Sequence, residues 1–191
     1  MFDQALKFIL DTVFGILVYA FLLRCAMQWL RAPFRNPVGH ALTALTDWAV
    51  KPVRRVLPGW GGVDWATLVL AWLAQFLWLV AVGMTLGGGG FDGPVLATLV
   101  LLSAVMLVKA ALWLLIIVVL VQAILSWVAP DGPIAGLLNA LTWRFLTPIR
   151  RRIPPLGGTL DLSPLIVIVL AQLALMLPVQ WLERAVYQLF R

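Results

Sequence analysis

The sequence contains few of the residues on which most enzymes and metalloproteins depend. It has one cysteine, Cys25, and one histidine, His40. A single cysteine forms no intrachain disulfide and no Cys-x-x-Cys site, and the apolar surroundings of Cys25 are typical of a buried thiol. A single histidine argues against zinc or haem held by histidines of this chain. The HExxH, Walker A and GxSxG motifs are absent. We therefore expect no catalytic residue, no metal and no cofactor, and interpret the protein as not an enzyme.

Charged residues are also scarce. They make up 12% of the chain, whereas hydrophobic residues make up 63%; soluble domains carry about 25% charged residues. A chain of 191 residues buries too little of its surface on folding to hide so much apolar area from water. This composition excludes a disordered chain, a coiled coil and a soluble enzyme fold, and it indicates a protein that folds in lipid.

Four apolar segments are long enough to cross a membrane as helices, which takes about 20 residues. They cover residues 8–30, 65–86, 94–128 and 163–186. None alternates with period two, so a β-barrel is disfavoured. The third run would be about 52 Å long as a helix, against about 30 Å of hydrocarbon, so it must tilt, break or begin outside the bilayer. Pro178 predicts a kink in the fourth segment. We predict an all-α membrane protein with four transmembrane helices.

The chain contains an internal repeat. The segment Pro52–Pro58 matches Pro148–Pro154, and Asp64 matches Asp161, at offsets of 96 and 97 residues. Each copy has two predicted membrane helices, so both copies face the same way. We predict two parallel hairpin repeats, residues 1–90 and 91–191, with a turn or linker at Gly87–Gly90.

Basic residues cluster in the two long loops. The loops 31–63 and 129–162 hold nine of the 14 lysines and arginines, and the connecting segment 87–93 has none. The positive-inside rule then predicts that both loops are cytoplasmic and that both termini lie outside.

Each basic loop contains a predicted amphipathic helix, at 38–50 and 134–146, which lies in the membrane interface. A proline follows each helix, where we expect it to stop. The arginines beyond the prolines either anchor the topology or contact an anionic lipid or an acidic partner protein. They are Arg54, Arg55, Arg150, Arg151 and Arg152. The clusters are short and lack interleaved aromatics, which disfavours nucleic-acid binding.

Polar residues also begin the second and fourth membrane helices. Asp64, Asp161 and Ser163 have the spacing of helix caps. A cation site is a poorer interpretation, because each copy supplies one carboxylate.

Polar residues inside the apolar segments are candidates for function. Asp11 and Lys109 are equivalent in the repeat, and we expect them to pair as a structural clasp; a proton or ion relay and exposure of Asp11 at the outer interface are alternatives. Arg24 can extend to the headgroups. Gln75 and Gln172 are equivalent as well, and we expect a hydrogen bond between them, with a pore lining as the alternative.

The duplicated Pro-x-Arg-Arg-x-hydrophobic-Pro segment, with Ser126-Trp127 and Asp161-Leu162-Ser163-Pro164, resembles the YggT family of small bacterial integral membrane proteins. The resemblance covers nearly the whole chain. Relatives often have a proline soon after the loop threonine, where this chain has Asp47 and Trp143. The resemblance implies a bacterial inner-membrane location, involvement in division, envelope organisation, osmotic or potassium homeostasis, or cytochrome maturation, and no catalytic residues.

Two functions are compatible with these patterns. One is a scaffold or assembly factor for envelope processes, anchored by its basic cytoplasmic loops, with anionic lipids, a membrane protein or a second copy as partners. The other is a small-ion channel or an accessory transport subunit. A common polar stripe of Asp11, Gln75 and Gln172 would favour the channel; the same residues paired within a dry bundle would favour the scaffold.

Overall fold

The structure is a computed structural model that describes residues 2–85, 92–132, 134–153 and 161–189. Within these ranges the named elements are all helices, which confirms the all-α prediction. Four stretches are long and apolar enough to cross a membrane: Phe2–Trp29, Trp65–Thr85, Gly93–Val128 and Ser163–Gln188. The linker predicted at Gly87–Gly90 lies outside the described residues.

The first apolar helix, α1, covers Phe2–Trp29 and begins earlier than the predicted position 8. Asp3 lies in its first turn, where a negative charge is favourable beside the positive end of the helix dipole. The helix therefore extends beyond the purely apolar run from which it was predicted.

The two loop helices are longer than predicted. Helix α2 covers Pro37–Val56, and its N-cap residue Asn36 accepts a 2.9 Å hydrogen bond from the Gly39 N–H. Helix α5 covers Ala135–Arg152. The expectation that Pro52 and Pro148 stop these helices is wrong, because both prolines lie inside them. A proline in a helix interior costs about 3 kcal/mol, and packing of α2 and α5 against neighbouring helices offsets it.

The arginine clusters therefore belong to helix ends rather than to loops. Arg54 and Arg55 lie in the last turn of α2, and three arginines occupy the last turn of α5. Cations are favourable there, because the C-terminal end of a helix carries a partial negative charge.

The second and third apolar helices are α3, Trp65–Thr85, and α4, Gly93–Val128. Helix α4 is one continuous helix of 36 residues, about 54 Å long. No glycine or proline occurs between Val95 and Val128, so nothing in its interior favours a break. The third run is thus a single helix that exceeds the hydrocarbon thickness of about 30 Å.

The fourth apolar stretch consists of three parts. Helix α6 covers Ser163–Ala174, a π-helical turn covers Leu175–Val179, and helix α7 covers Gln180–Leu189. The π-turn contains Pro178, at the position where a kink was predicted. A proline has no N–H to donate along the helix, and a local π-bulge accommodates the missing hydrogen bond.

Helix α1 packs against α3 and α4, and α4 packs in turn against α3 and α6. Among the described helices, α3 and α6 make no contact. The two loop helices meet through α1, because Met27 packs in one buried cluster with Leu42 of α2 and Leu137 and Leu141 of α5. This cluster places the N-terminal halves of α2 and α5 against the same end of α1.

Candidate functional site

Two equivalent ion pairs connect the loop helices to the apolar helices that follow them. Arg54 of α2 pairs with Asp64, which directly precedes α3. Arg150 of α5 pairs with Asp161, which lies just before α6, with an Nη2–Oδ2 distance of 2.7 Å. The sequence repeat aligns the two arginines with each other and the two aspartates with each other. Each pair therefore holds the end of a loop helix against the start of the next apolar helix.

These pairs involve two of the five cluster arginines, which the sequence predicts either to anchor the topology or to contact an anionic lipid or an acidic partner. Arg54 and Arg150 bind carboxylates of their own chain instead. Within the described ranges, Arg55, Arg151 and Arg152 form no ion pair. The sequence did not separate the two groups, because the pairing depends on the continuation of α2 and α5 through their prolines.

The predicted caps also have different roles. The Asp64 carboxylate is fully buried and binds Arg54 rather than the start of α3, while its main-chain carbonyl accepts from the Leu68 N–H at 3.1 Å. The Asp161 Oδ1 accepts from the Ser163 N–H at 2.9 Å, but the N-cap position of α6 is Leu162, which makes no side-chain capping hydrogen bond. Ser163 is the first residue of α6 rather than its cap, and its main-chain N–H donates to Asp161.

The surroundings of Asp161 favour its charged form. Burial by itself would raise the pKa of this carboxyl, but hydrogen bonds from Ser163 and Arg150 and the charge of Arg150 outweigh burial and lower the pKa. The ion pair of the second half therefore persists to a lower pH than an aspartate with its ordinary pKa would allow.

Arg24 is buried in α1 and binds side chains of α2 rather than extending away from the protein. Its Nη1 donates to Thr46 Oγ1 at 2.6 Å and to Asp47 Oδ1 at 2.7 Å. Asp47 also pairs with Lys51 one turn along α2, at 2.8 Å. The hydrogen bonds from Lys51 and Arg24 lower the pKa of Asp47. This network attaches α2 to α1. The charge of Arg24 is buried, so leaving it unpaired would cost free energy.

The second half carries a neutral counterpart of this network. Gln122, which the repeat aligns with Arg24, is buried in α4, and its Nε2 lies 3.4 Å from Asn139 Oδ1 of α5. The first half thus holds its loop helix with an ion pair, and the second half with a weak amide contact.

The expected pair between Asp11 and Lys109 is wrong. Asp11 accepts a 2.8 Å hydrogen bond from the Trp78 indole N–H of α3, and Lys109 donates to Glu183 of α7 at 2.8 Å. Each residue interacts with a helix of its own half, because α1 packs along α3 and α4 packs along α6 and α7. The charge of Lys109 is neutralised within the second half.

The expected hydrogen bond between Gln75 and Gln172 is also absent. Gln75 contacts the Met106 sulfur of α4 at 3.7 Å, whereas Gln172 is exposed on α6. Helix α4 lies between α3 and α6, so the two amides do not meet. Asp11 and Gln75 line one cavity of about 180 Å³, but Gln172 does not belong to it. The three residues therefore do not form a common polar stripe.

Sequence patterns did not predict the partners of these charges. They are Thr46, Asp47, Trp78 and Glu183. One signal was available, since a lone arginine in an apolar helix needs a carboxylate nearby; Asp47 is the single acidic residue of the first basic loop before Asp64. No spacing rule indicated Glu183. Within the part of the chain that the structure describes, no three His, Cys, Asp or Glu residues are placed to hold a metal ion.

Comparison with known proteins identifies the family. The CCB3/YggT family model matches residues 4–85 and 93–182. An uncharacterized protein of Vibrio alginolyticus is 34% identical over 172 residues, which is 90% of this chain and 91% of the relative. An uncharacterized protein of Pseudomonas aeruginosa is 35% identical over 165 residues, 85% of this chain and 82% of the relative.

The uncharacterized protein YggT of Escherichia coli K12 is 33% identical over 169 residues, 87% of this chain and 85% of the relative. No solved structure matches the chain. The family match covers both ion-paired loop helices and most of each of the four apolar stretches, and this chain belongs to the CCB3/YggT family.

Proposed function

We propose that this protein is a non-catalytic scaffold or assembly factor of the bacterial inner membrane. The observation that carries the proposal is the duplicated pair of Arg54 with Asp64 and Arg150 with Asp161. Each pair fixes a basic helix at the start of a membrane helix and leaves neighbouring arginines, Arg55 and Arg152, outside the pairing. The result is a rigid basic platform for an acidic surface, either anionic headgroups or a partner protein.

The proposed topology consists of two parallel hairpin repeats. The first contains α1 and α3 and the second contains α4 and the helices α6 and α7, with α2 and α5 as amphipathic helices in the interface. Two exposed tryptophans, Trp48 of α2 and Trp143 of α5, support this depth, because tryptophan concentrates at membrane–water interfaces. The charge distribution supports cytoplasmic loop helices and outer termini.

The topology is tested with paired reporters that are active on only one side of the membrane. A reporter that is active only outside is expected to be active after Arg191 and inactive after Gly59, in the first basic loop, and a reporter that is active only in the cytoplasm is expected to show the reverse. A cytoplasmic C-terminus would contradict the four-span arrangement.

The scaffold function is tested by crosslinking in native membranes. A photo-crosslinking amino acid replaces Arg55 or Arg152 in turn, and control positions are the exposed residues Leu77 and Leu170 within the apolar helices. We expect a shared protein neighbour at both arginine positions that is absent from the controls. Adducts of equal yield at the control positions, or no protein adduct at either arginine position, would contradict the proposal.

A small-ion channel is the second candidate. One observation supports it, namely the cavity that Asp11 and Gln75 line together. The hydrogen bond of Asp11 to Trp78 and the separate position of Gln172 favour the scaffold. Ion flux into liposomes that contain the purified protein distinguishes the two. A flux that Asp11→Asn and Gln75→Ala each abolish would support the channel and overturn the scaffold as the primary function.

A further inference from the structure

A cavity of about 570 Å³ opens between the end of α1, the Gly61–Gly62 turn and α5. Its volume falls within the range of small-molecule sites, about 300–1,000 Å³. Three of its lining residues are arginines, Arg31, Arg144 and Arg151, and none is acidic. The cavity is therefore a concave site of strongly positive charge.

The three arginines are not neutralised by the protein. Within the described residues none of them forms an ion pair, unlike Arg54 and Arg150. The Arg144 guanidinium lies over the Trp29 ring, 4.8 Å from its centroid, and such stacking orients the planar group. Oriented guanidinium groups bind phosphate oxygens through paired hydrogen bonds.

Arg31 is held in a conformation that side chains disfavour. Its φ is 54°, in the left-handed region. The bonds from the Arg31 N–H to Gln28 O and from the Ala32 N–H to Met27 O have the pattern that ends a helix on a left-handed residue. Glycine is usual at this position. Strain of this kind concentrates at functional sites, and here it places an arginine at the rim of the cavity.

A second, apolar cavity of about 430 Å³ adjoins the first. Trp29 and Leu30 line both cavities, and the second continues between α1 and α4 along residues such as Leu22, Val108 and Leu112. A charged cavity that continues into an apolar one matches an amphiphile, whereas a free phosphate would occupy the charged cavity alone.

We propose that these two cavities together bind one anionic phospholipid. The three arginines hold the phosphate and its negative headgroup, and an acyl chain lies in the apolar cavity between α1 and α4. The bound lipid would connect the end of the first half to α5 of the second half. This site goes beyond the proposed scaffold function and does not depend on it, since lipid binding is measured on the isolated protein.

The proposal is tested by native mass spectrometry of the purified full chain in neutral detergent. Dioleoyl phosphatidylglycerol is expected to give a single retained adduct, with an affinity at least tenfold above that of dioleoyl phosphatidylcholine. Inorganic phosphate is expected neither to form an adduct nor to displace the lipid. Equal affinity for the two lipids would overturn the proposal, and displacement by inorganic phosphate would assign the cavity to a soluble anion instead.

Matched double variants locate the binding site. Each arginine near an anionic headgroup contributes about a fivefold gain in affinity, so Arg144→Gln with Arg151→Gln is expected to weaken phosphatidylglycerol binding about 25-fold. The control, Arg35→Gln with Arg184→Gln, removes the same charge at exposed arginines outside both cavity linings and is expected to change the affinity less than threefold. Equal losses in the two double variants would overturn the site.

Two further variants test the site even if the double variant Arg144→Gln with Arg151→Gln fails to fold. Arg31→Gly relieves the backbone strain, so it is expected to fold well and still bind the lipid at least fivefold more weakly. Ala111→Trp fills the apolar cavity, which Ala111 lines. It is expected to weaken dioleoyl phosphatidylglycerol while leaving the affinity for the short dihexanoyl lipid unchanged. Unaltered lipid binding by both variants would contradict the two-cavity site.

Discussion

The buried ion pair between Arg24 and Asp47 leads to an asymmetric prediction about stability. The Arg24 side chain is 7% exposed and the Asp47 side chain is 29% exposed. Removing Asp47 leaves a buried cation without its counter-ion, whereas removing Arg24 leaves a partly exposed carboxylate that still pairs with Lys51. Although both substitutions break the same contact, their costs should differ.

The expected magnitudes follow from these environments. Loss of one partner from a buried pair costs about 3–5 kcal/mol. We expect Asp47→Ala to lower the free energy of unfolding by about 3 kcal/mol, near the lower end of this range, because Thr46 still accepts a hydrogen bond from Arg24. Arg24→Met keeps the length of the side chain and should cost about 1 kcal/mol, as for an exposed pair. The double variant should be more stable than Asp47→Ala, since it no longer buries an unpaired charge.

The assay is denaturant or thermal unfolding of the purified protein in detergent micelles, analysed as a double-mutant cycle. Lys51→Met serves as a control, because it removes the exposed partner of Asp47 and should change the free energy of unfolding by less than about 1 kcal/mol. Equal destabilisation by Arg24→Met and Asp47→Ala would refute this asymmetry, as would a double variant that is the least stable of the three.

Three further predictions concern individual charges. Arg31→Gly should raise the free energy of unfolding by about 1 kcal/mol, because a left-handed residue with a β-carbon costs about 1–2 kcal/mol; an unfolding titration measures the gain, and a loss of stability would contradict the strain at this position. The lowered pKa values of Asp47 and Asp161 mean that the folded state binds these protons more weakly than the unfolded state. Their stabilisation is therefore fully present above the unfolded pKa, near pH 4, and is lost as the pH falls through the lowered values. The free energy of unfolding, measured between pH 6 and pH 3, should fall as these carboxylates are protonated, and the Asp47→Asn and Asp161→Asn variants should lose less stability over this range. An unchanged dependence on pH in both variants would argue against the two ion pairs. Exchange of Lys109 and Glu183 should restore the stability that either single charge reversal removes, as measured by melting in detergent, and no recovery would argue against their pairing.

The architecture could be read from the sequence because lipid leaves few solutions. A spanning segment must satisfy all of its backbone hydrogen bonds internally, so an apolar run of the right length becomes a helix. The structure agrees at 65–85 and 93–128, almost to the residue. The expectation that a proline ends or kinks a helix was less reliable. Pro178 marks a π-turn as expected, whereas Pro52 and Pro148 lie within continuous helices, because tertiary packing outweighs a local preference.

Pairing of charges was much harder to predict. The sequence repeat located Arg54, Asp64, Arg150 and Asp161 as equivalent positions, yet it indicated headgroup contacts and caps rather than two ion pairs. The repeat also suggested that Asp11 meets Lys109. Equivalent positions in two halves meet only if the two helices present the same faces to each other, and the sequence holds no information about that geometry.

The sequence by itself determined the membrane environment, the four apolar helices and the two basic loop helices, because composition and apolar run length act locally along the chain. The tertiary structure alone decided which charge meets which. Helix α4 lies between α3 and α6 and thereby separates Gln75 from Gln172, while α7 packs along α4 and brings Glu183 to Lys109. Helix packing also places Arg31, Arg144 and Arg151 around one cavity whose lining contains no carboxylate. A charge in a medium of low polarity binds the nearest opposite charge, and helix packing determines which one that is.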